Sequence, residues 1–425
     1  MSSVYPRRKC HAFIGSSAID DWFAMTHSRL FLLGASLTSC FHAARGLEAK
    51  DVLSYSLGRT TFFPRVNLSS TYSDNVAYND RFPVSDMVMS IAPGMGVQFG
   101  RMGENMLTAS YQLEQIFYLE NDQFNAQNHS FQISGLRERG RFKYNHSASL
   151  QYQTTLIGGT VSDPLLFGSS LKAGRFIYNT VHVLDYTLST KTGIYVGPSY
   201  TATDYEEGTP LFDTSDVSGV VGFRYTLTPK THLFGEMQYG QSEVDPNRSA
   251  DVKGPSSTAL RGFVGTRFDF SSRISGSVKV GYEIRSFQND APAPSEPVVS
   301  ASVTYKPAQK TSVSTFYSRS SSLSIQSSSE TAVSDSLGLT LSQQIGNTGK
   351  FGATTGLAYQ TSSYVSSAST GRTDEFVSAT VGFFYNFQLW FKTGVGYSHT
   401  QSTSSLPAAL GYTENRVALT VSVGY

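Results

Sequence analysis

The sequence predicts an all-β fold, a transmembrane antiparallel up-and-down β-barrel of about 18 strands, with about 16 as the alternative. Three observations predict it. From about Phe62 onward, amphipathic stretches of a dozen or so residues follow one another with no helical period between them. The links between those stretches alternate short and long along nearly the whole chain. The last stretch, "VALTVSVGY" at Val417–Tyr425, alternates to its final residue. Composition agrees: charged residues make up 15% of the chain, against about 25% in a typical soluble domain. The 24 Tyr and 28 Phe suit strands that carry aromatic girdles. No run of about 18 apolar residues exists, so helices do not cross a membrane here. A net charge of +1 and the absence of basic blocks or Cys/His clusters exclude a nucleic-acid partner.

The N-terminus reads as targeting. "HSRLFLLGASLTSCFHAARGLEA" has basic residues at His27 and Arg29, an apolar stretch from Leu30 to Leu37, and small residues after it. Residues 1–49 are therefore expected to be an N-terminal extension and signal peptide, with Met25 a candidate true start and cleavage after Ala44 or Ala49. "LTSC", ending at Cys40, offers a competing lipoprotein cleavage box. Both cysteines, Cys10 and Cys40, precede the barrel, so cleavage after Ala44 or later leaves no thiol for an oxidising compartment. Residues 50–61 form a short periplasmic lead, and residues 62–425 form a single barrel.

Along the barrel, period-two alternation assigns faces. "VSGVVGFRYTL" puts Val217, Val221, Phe223, Tyr225 and Leu227 on one side and Arg224 on the other. "LRGFVGTRFDF" sets Leu260, Val264, Phe268 and Phe270 against Arg261 and Arg267, and "ISGSVKVGYEI" sets Val280, Tyr282 and Ile284 against Lys279 and Glu283. "FKYNHSASLQYQTTL" sets Phe142, Tyr144, Leu150, Tyr152 and Leu156 against Lys143, Asn145 and Gln151. The polar face mixes Gly, Ser, Gln and isolated charges, as a wet lumen does. Tight links such as "LRERGRF", "LTPKTH", "DFSSRI" and "NFQLW" alternate with long polar loops such as "DNVAYNDRFPVSD" and "EVDPNRSADVKGPSS". A sandwich has no reason to sort its loops this way; periplasmic turns and extracellular loops do.

The C-terminal strand, with Leu419, Val421, Val423 and Tyr425 on one face, resembles the assembly signal of bacterial outer-membrane barrels, with Tyr in place of the more usual Phe. Pairing of this strand with the first one, near "FPRVNLSSTYS", closes the barrel and removes edges that lipid cannot hydrogen-bond. At Pro64–Gly100, Tyr72, Ser73, Asp74 and Asn75, then Ser85 and Asp86, then Pro93 and Gly94, resemble the N-terminal pattern of the β-barrel porin-2 family. That resemblance implies a porin associated with exopolysaccharide export, and no catalytic residues carry over from it. Asp74, Asn75 and Asp86 are read as caps of turns at the first outer loop.

Function follows from the lumen. Arg224, Glu236, Arg261, Arg267, Lys279, Glu283 and Arg285 fall on the polar phase of four successive strands and are the candidates for selectivity. Pairing across strands, which would only stiffen the wall, is the competing role for them. The expected activity is an outer-membrane channel for polar solutes or polysaccharide export. A structural or adhesive barrel without an open pore is the alternative, and a barrel-embedded enzyme is third. The reading is of a protein that is not an enzyme and has no catalytic site, metal or cofactor. His129, His146, His182, His232 and His399 belong to no recognisable catalytic motif, and His146 and His182 fall on or near the apolar phase. "VSDPLLFGSS" at Val161–Ser170 is a candidate inward-folding constriction. The expected partners are outer-membrane lipid and lipopolysaccharide, the latter through acidic long loops, together with the barrel assembly machinery and polysaccharide-export components. The expected location is the outer membrane of a Gram-negative-type envelope.

Overall fold

Apolar and polar residues alternating over 12 to 16 positions form strands long enough to cross an apolar layer when tilted. The computed structural model describes residues 53–101, 105–157, 171–207, 209, 211–245, 256–288, 295–323, 330–366, 371–405 and 411–424. Among them, eighteen long strands form the wall. They are β1 (Thr60–Ser73), β2 (Asp86–Arg101), β3 (Asn105–Tyr118), β4 (Ala126–Arg139), β5 (Phe142–Gln153) and β6 (Arg175–Thr187). Next come β7 (Thr192–Tyr205), β8 (Asp213–Thr228), β9 (Thr231–Asp245), β10 (Ser257–Ser271), β11 (Ile274–Phe287) and β12 (Ser295–Ala308). The last are β13 (Thr311–Leu323), β14 (Glu330–Ile345), β15 (Phe351–Ser366), β16 (Thr373–Gln388), β17 (Phe391–Ser404) and β18 (Tyr412–Gly424). Each pairs antiparallel with its neighbour in the chain. β18 pairs with β1, from Arg65↔Gly424 to Ser73↔Arg416, so the sheet closes into a barrel. At one end strands are joined by two to five residues, and at the other by six or more.

The outer face carries two aromatic girdles. Near the short turns lie Phe99, Phe142, Tyr144, Phe270, Tyr305, Phe383, Tyr385 and Phe387, all exposed; toward the long loops lie Tyr72, Tyr111, Tyr178, Tyr200, Tyr239, Tyr282, Tyr359 and Tyr397. Between them stand Leu, Val, Ile and Met, including Val264 at 64% exposure and Met237 at 61%. Apolar surface of this extent around a whole wall is compatible with lipid and not with water.

The first part of the first long loop turns inward, while Asp80–Pro83 are exposed. Residues 74–85 were expected to form a polar outer loop, but Asn75, Val76, Ala77 and Tyr78 are buried. Tyr78 packs with Tyr412 of β18, Phe376 of β16 and Leu156 beyond β5, with Phe124 against the cluster. Tyr412 and Phe376 have the opposite phase to the exposed Val417, Leu419, Val377 and Val381, so they point into the lumen. The cluster therefore joins walls on different sides of the mouth. Leu156 also departs from expectation: the phase that puts Leu150 and Tyr152 outside ends with β5 at Gln153, and Leu156 turns inward.

Candidate functional site

All seven candidates lie on the face opposite the exposed apolar side chains of their strands. Arg224 alternates with exposed Val221 and Phe223, Glu236 with Met237, Arg261 and Arg267 with Leu260 and Val264, and Lys279, Glu283 and Arg285 with Val280, Tyr282 and Ile284. Several are paired. Glu283, fully buried, takes Arg285 Nε at 2.9 Å on Oε1 and Arg261 Nε on Oε2. Arg285 also donates to Ser257 Oγ at 3.0 Å. Arg224 Nη2 lies 2.7 Å from Asp185 on β6. Glu236 accepts from Tyr195 Oη at 2.5 Å, and Lys279 Nζ is 3.7 Å away.

Three lumen cations are seated on rings, Lys279 in addition to its contact with Glu236. The Arg267 guanidinium carbon lies over the Phe234 ring at 5.2 Å, Lys279 Nζ over Phe263 at 4.5 Å, and Lys392 Nζ over Phe384 at 4.4 Å. Each ring lies across a glycine of the adjoining strand: Phe234 over Gly265, Phe263 over Gly281, Phe384 over Gly352. A Cβ at any of those glycines would collide with the ring. The missing side chain lets the ring lie flat on the wall, and the ring's negative face then holds a cation. A ring attracts a cation without cancelling its charge, so these seats keep positive charge facing the lumen. Among the described residues, Arg267 and Lys392 have no carboxylate partner within salt-bridge distance. Beside Arg267 is a cavity of about 540 Å³, lined by Lys143, Asp185, Arg224, His232, Glu236 and Arg267 among others.

The mouth is built around Tyr78. Its φ of 52° is left-handed, the only such non-glycine residue among those described. For a bulky side chain this is an outlier that surrounding structure must enforce. The enforcement is visible in the hydrogen bonds. Asn75 Oδ1 accepts from the Asn79 amide at 3.1 Å, and Asn75 Nδ2 donates to the Thr413 carbonyl at 2.9 Å. Arg416 Nη2 donates to Tyr78 Oη at 2.6 Å, and Arg416 Nε to Glu414 at 2.6 Å. Glu414 also accepts from Ser73 Oγ at 2.5 Å. Burial pushes the Tyr78 phenol above its ordinary pKa of 10, against the opposing pull of Arg416. A second cavity of about 380 Å³ lies alongside, lined by Thr71, Val88, Ile116, Asn128, Arg175 and Tyr78 among others.

The motif residues sit around this mouth. Asp74 accepts from the Asn415 amide and side chain, each at 2.7 Å. Asp86 accepts from the amides of Leu119 and Asn121 at 3.0 and 2.9 Å, tying the second long loop to β2. Tyr72 is on the outer face, opposite Val417 and Met87. Pro93 and Gly94 are inside β2, and a Cβ at Gly94 would press on the Tyr111 carbonyl. Leu419, Val421 and Val423 share the outer phase of β18, opposite Ser70, Leu68 and Val66 of β1. Tyr425, Val161–Ser170, and the signal-peptide and Cys40 readings lie outside the described residues. His232, expected in a short turn, is on β9 in the lumen phase, 3.1 Å from Thr226 Oγ1. His129 and His399 are on the outer face beside Tyr111 and Asn415.

The sequence reading missed Asp185, Tyr195, Lys392 and the three seating rings, all of which lie on the lumen phase of their strands. An aromatic residue on a polar phase, facing a glycine on the next strand, is the signal that could have found the seats. "NVAY", an apolar interruption in a polar loop, is the one that could have found the inward fold.

The profile of the family described as "Putative beta-barrel porin 2" matches residues 192–425, from β7 to the end. That span leaves out Pro64–Gly100, where the resemblance was read, so the two rest on different parts of the chain. Comparison with curated proteins gives no match. Among solved structures, the chain is similar to the outer membrane protein opdK from Pseudomonas aeruginosa, at 11% identity and a TM-score of 0.47, covering 87% of this chain and 100% of that one. It is also similar to OccAB4 from Acinetobacter baumannii, at 11% identity and a TM-score of 0.45, covering 85% and 98%. The FrpB iron transporter from Neisseria meningitidis aligns at 10% identity and a TM-score of 0.44, covering 89% and 83%. None of these likenesses bears on a solute.

Proposed function

This chain belongs to the β-barrel porin 2 family, and from that premise we propose that it is an outer-membrane channel passing anionic polar solutes. The observation that carries the reading is the set of lumen cations seated on rings: Arg267 on Phe234 and Lys392 on Phe384, with no carboxylate partner among the described residues, and Lys279 on Phe263, with Glu236 3.7 Å away. In a low-dielectric wall, uncompensated fixed charge concentrates ions of the opposite sign and repels its own. An anion entering from the mouth meets neutralised pairs first and net positive charge further in. An acidic polysaccharide in export is the finer form of this reading, in line with the resemblance at Pro64–Gly100. On the same reading the β18 strand serves assembly, and the acidic outer rim contacts lipopolysaccharide through divalent cations. No catalytic step is needed.

The test is the reversal potential of the refolded protein in a planar bilayer under a salt gradient. The expected result is anion preference, largely lost in the triple variant Arg267→Gln, Lys279→Gln, Lys392→Gln at unchanged barrel stability. Equal permeability in both proteins would overturn the proposal. A second reading, a structural barrel that stays shut, is favoured by the packing of Tyr78 against Tyr412, Phe376 and Leu156. A folded protein that passes no current, and begins to conduct once residues 76–82 are replaced by a short Gly-Ser link, would support it.

A further inference from the structure

Between the two girdles the outer face belongs to lipid, and a polar group there needs a partner that lipid cannot supply. His146 and His182 are ionisable groups on that part of the wall; Arg319 and Asp335, on the outer phase of β13 and β14, satisfy each other at 2.7 Å, with Asp335 one step beyond the residue opposite Tyr359. Other charged outer residues stand at or beyond the girdles. Arg137 and Arg139 are level with Tyr144 and Phe142, and His129 is level with Tyr152. His399 and Asn415 lie past Tyr397. On β6, by contrast, His182 lies midway between Tyr178 and Tyr186.

His146 and His182 are directly opposed across β5 and β6. Their rings stack with centroids 4.5 Å apart, and their Nδ1 atoms are 3.2 Å apart. His182 Nδ1 also meets Tyr144 Oη at 2.7 Å, and its Nε2 meets Thr180 Oγ1 at 3.2 Å. His182 is therefore satisfied within the wall. His146 Nε2 has no hydrogen-bond partner among the described residues. The surface around it is low at Gly135, the residue opposite His146 on β4, and at Ala148 on β5, while the half-buried Ile133 stands opposite Ala148 and between it and Ala109 on β3. Exposed Leu107, Phe131, Leu150 and Leu184 form the rim.

We propose that this patch is the contact face for a second copy of this chain, related by a two-fold axis along the membrane normal. Two copies inserted in one membrane share their orientation, so such an axis brings each residue to its own counterpart at the same depth. A neutral imidazole is one donor and one acceptor, which makes His146 complementary to itself: Nε2–H of one copy donates to bare Nε2 of the other. Gly135 and Ala148 let the two walls approach closely, as small residues do between membrane segments. An acyl chain has no hydrogen-bonding group to offer, and headgroups lie beyond the girdles. A second copy supplies what neither can.

The experiment uses the full chain in its native membrane and after mild-detergent extraction. Ala148 is replaced by the photo-crosslinking residue p-benzoylphenylalanine, with the same replacement at Ala301, on the outer face of β12, as control. A crosslinked band at twice the chain mass from position 148 and not from 301 is expected. Native mass spectrometry of the wild-type chain should show a dimer, and the double variant His146→Leu, His182→Leu should shift it to monomer while remaining heat-modifiable. That variant is better suited to lipid as a monomer, so loss of the dimer cannot be ascribed to misfolding if the gel shift is retained. A wild-type monomer, a crosslink from 148 to a different protein or to lipid, or an unchanged dimer in the double variant would each overturn the proposal.

Discussion

At the long-loop end, Arg285, Arg372 and Arg416 each meet a carboxylate, Glu283, Asp374 and Glu414. Toward the short turns, Arg267 and Lys392 rest on Phe234 and Phe384 with no carboxylate partner among the described residues, whereas Arg224 meets Asp185, Lys143 meets Glu138 and Lys279 reaches Glu236 at 3.7 Å. The two regions solve one problem, how to hold a long cationic side chain against a wall, with opposite electrostatic results. A buried ion pair fixes geometry and cancels its own field, and losing one partner leaves an uncompensated charge. A ring fixes geometry less firmly and leaves the charge visible. The mouth is thus built for shape and the wall beneath it for potential. Substitutions in the two places should therefore fail in different measurements.

The largest effect on transport is expected from the mouth. Replacing residues 76–82 with a short Gly-Ser link removes Val76, Ala77 and Tyr78 from the lumen and should raise single-channel conductance severalfold, with little change in ion preference. If conductance stays put, the loop does not limit the pore. The largest effect on stability is expected at Glu283. Glu283→Ala strands Arg285, whose side chain is only 3% exposed, together with Arg261. The cost should be about 3–5 kcal/mol, read from the midpoint of urea unfolding in detergent. A loss below about 1 kcal/mol would mean that water reaches this cluster and screens it.

Much of this architecture is legible in the sequence because a barrel repeats one rule. Alternation fixes which of Val221, Phe223 and Arg224 meets lipid, and closure by β18 on β1 follows once every strand needs two neighbours. The lumen phase of Arg261, Arg267 and Lys279 comes from the same rule. Their partners do not, because pairing depends on register. Glu283 is two positions from Arg285 and opposite Arg261 only once β10 and β11 are aligned. The inward fold of residues 75–78 was hidden for a related reason. A loop's direction is set by contacts distant in sequence, here Phe376, Tyr412 and Leu156, and polar composition alone reads as outer solvation.

Smaller effects test the seats one part at a time. Gly265→Ala should cost about 1–3 kcal/mol, since the added methyl displaces the Phe234 ring. It should also reduce anion preference, because Arg267 loses its bed. Phe384→Leu retains Lys392 and its charge, so the expected change is only about 0.5–1 kcal/mol of stability, with ion preference nearly unchanged. If Phe384→Leu lowers anion preference as much as Lys392→Gln does, the ring positions the charge and does more than tether it.

At neutral pH the smallest difference is expected from titrating Tyr78, and there the sign separates mouth from wall. Burial raises its folded pKa above the unfolded value of 10, so the folded state holds the phenolic proton more tightly. The contribution to stability is then complete below pH 10 and is lost as pH rises through the folded value. Wild type and Tyr78→Phe should therefore show parallel stability below the unfolded phenol's pKa of 10 and converge as pH rises from there toward the raised folded value, because only the wild-type unfolded chain gives up this proton. The variant begins lower because it lacks the acceptor for Arg416 Nη2, a bond of 2.6 Å in the wild type. Other tyrosines titrate in both proteins, so the difference between the two curves isolates Tyr78. Ion preference measured over the same range should change equally in the two proteins, because Arg267 and Lys392 rest on Phe234 and Phe384 and not on groups of the mouth. A difference that grows with pH would place the phenol's proton in the unfolded ensemble's favour and reverse the assignment of Tyr78 as a buried, neutral post of the mouth.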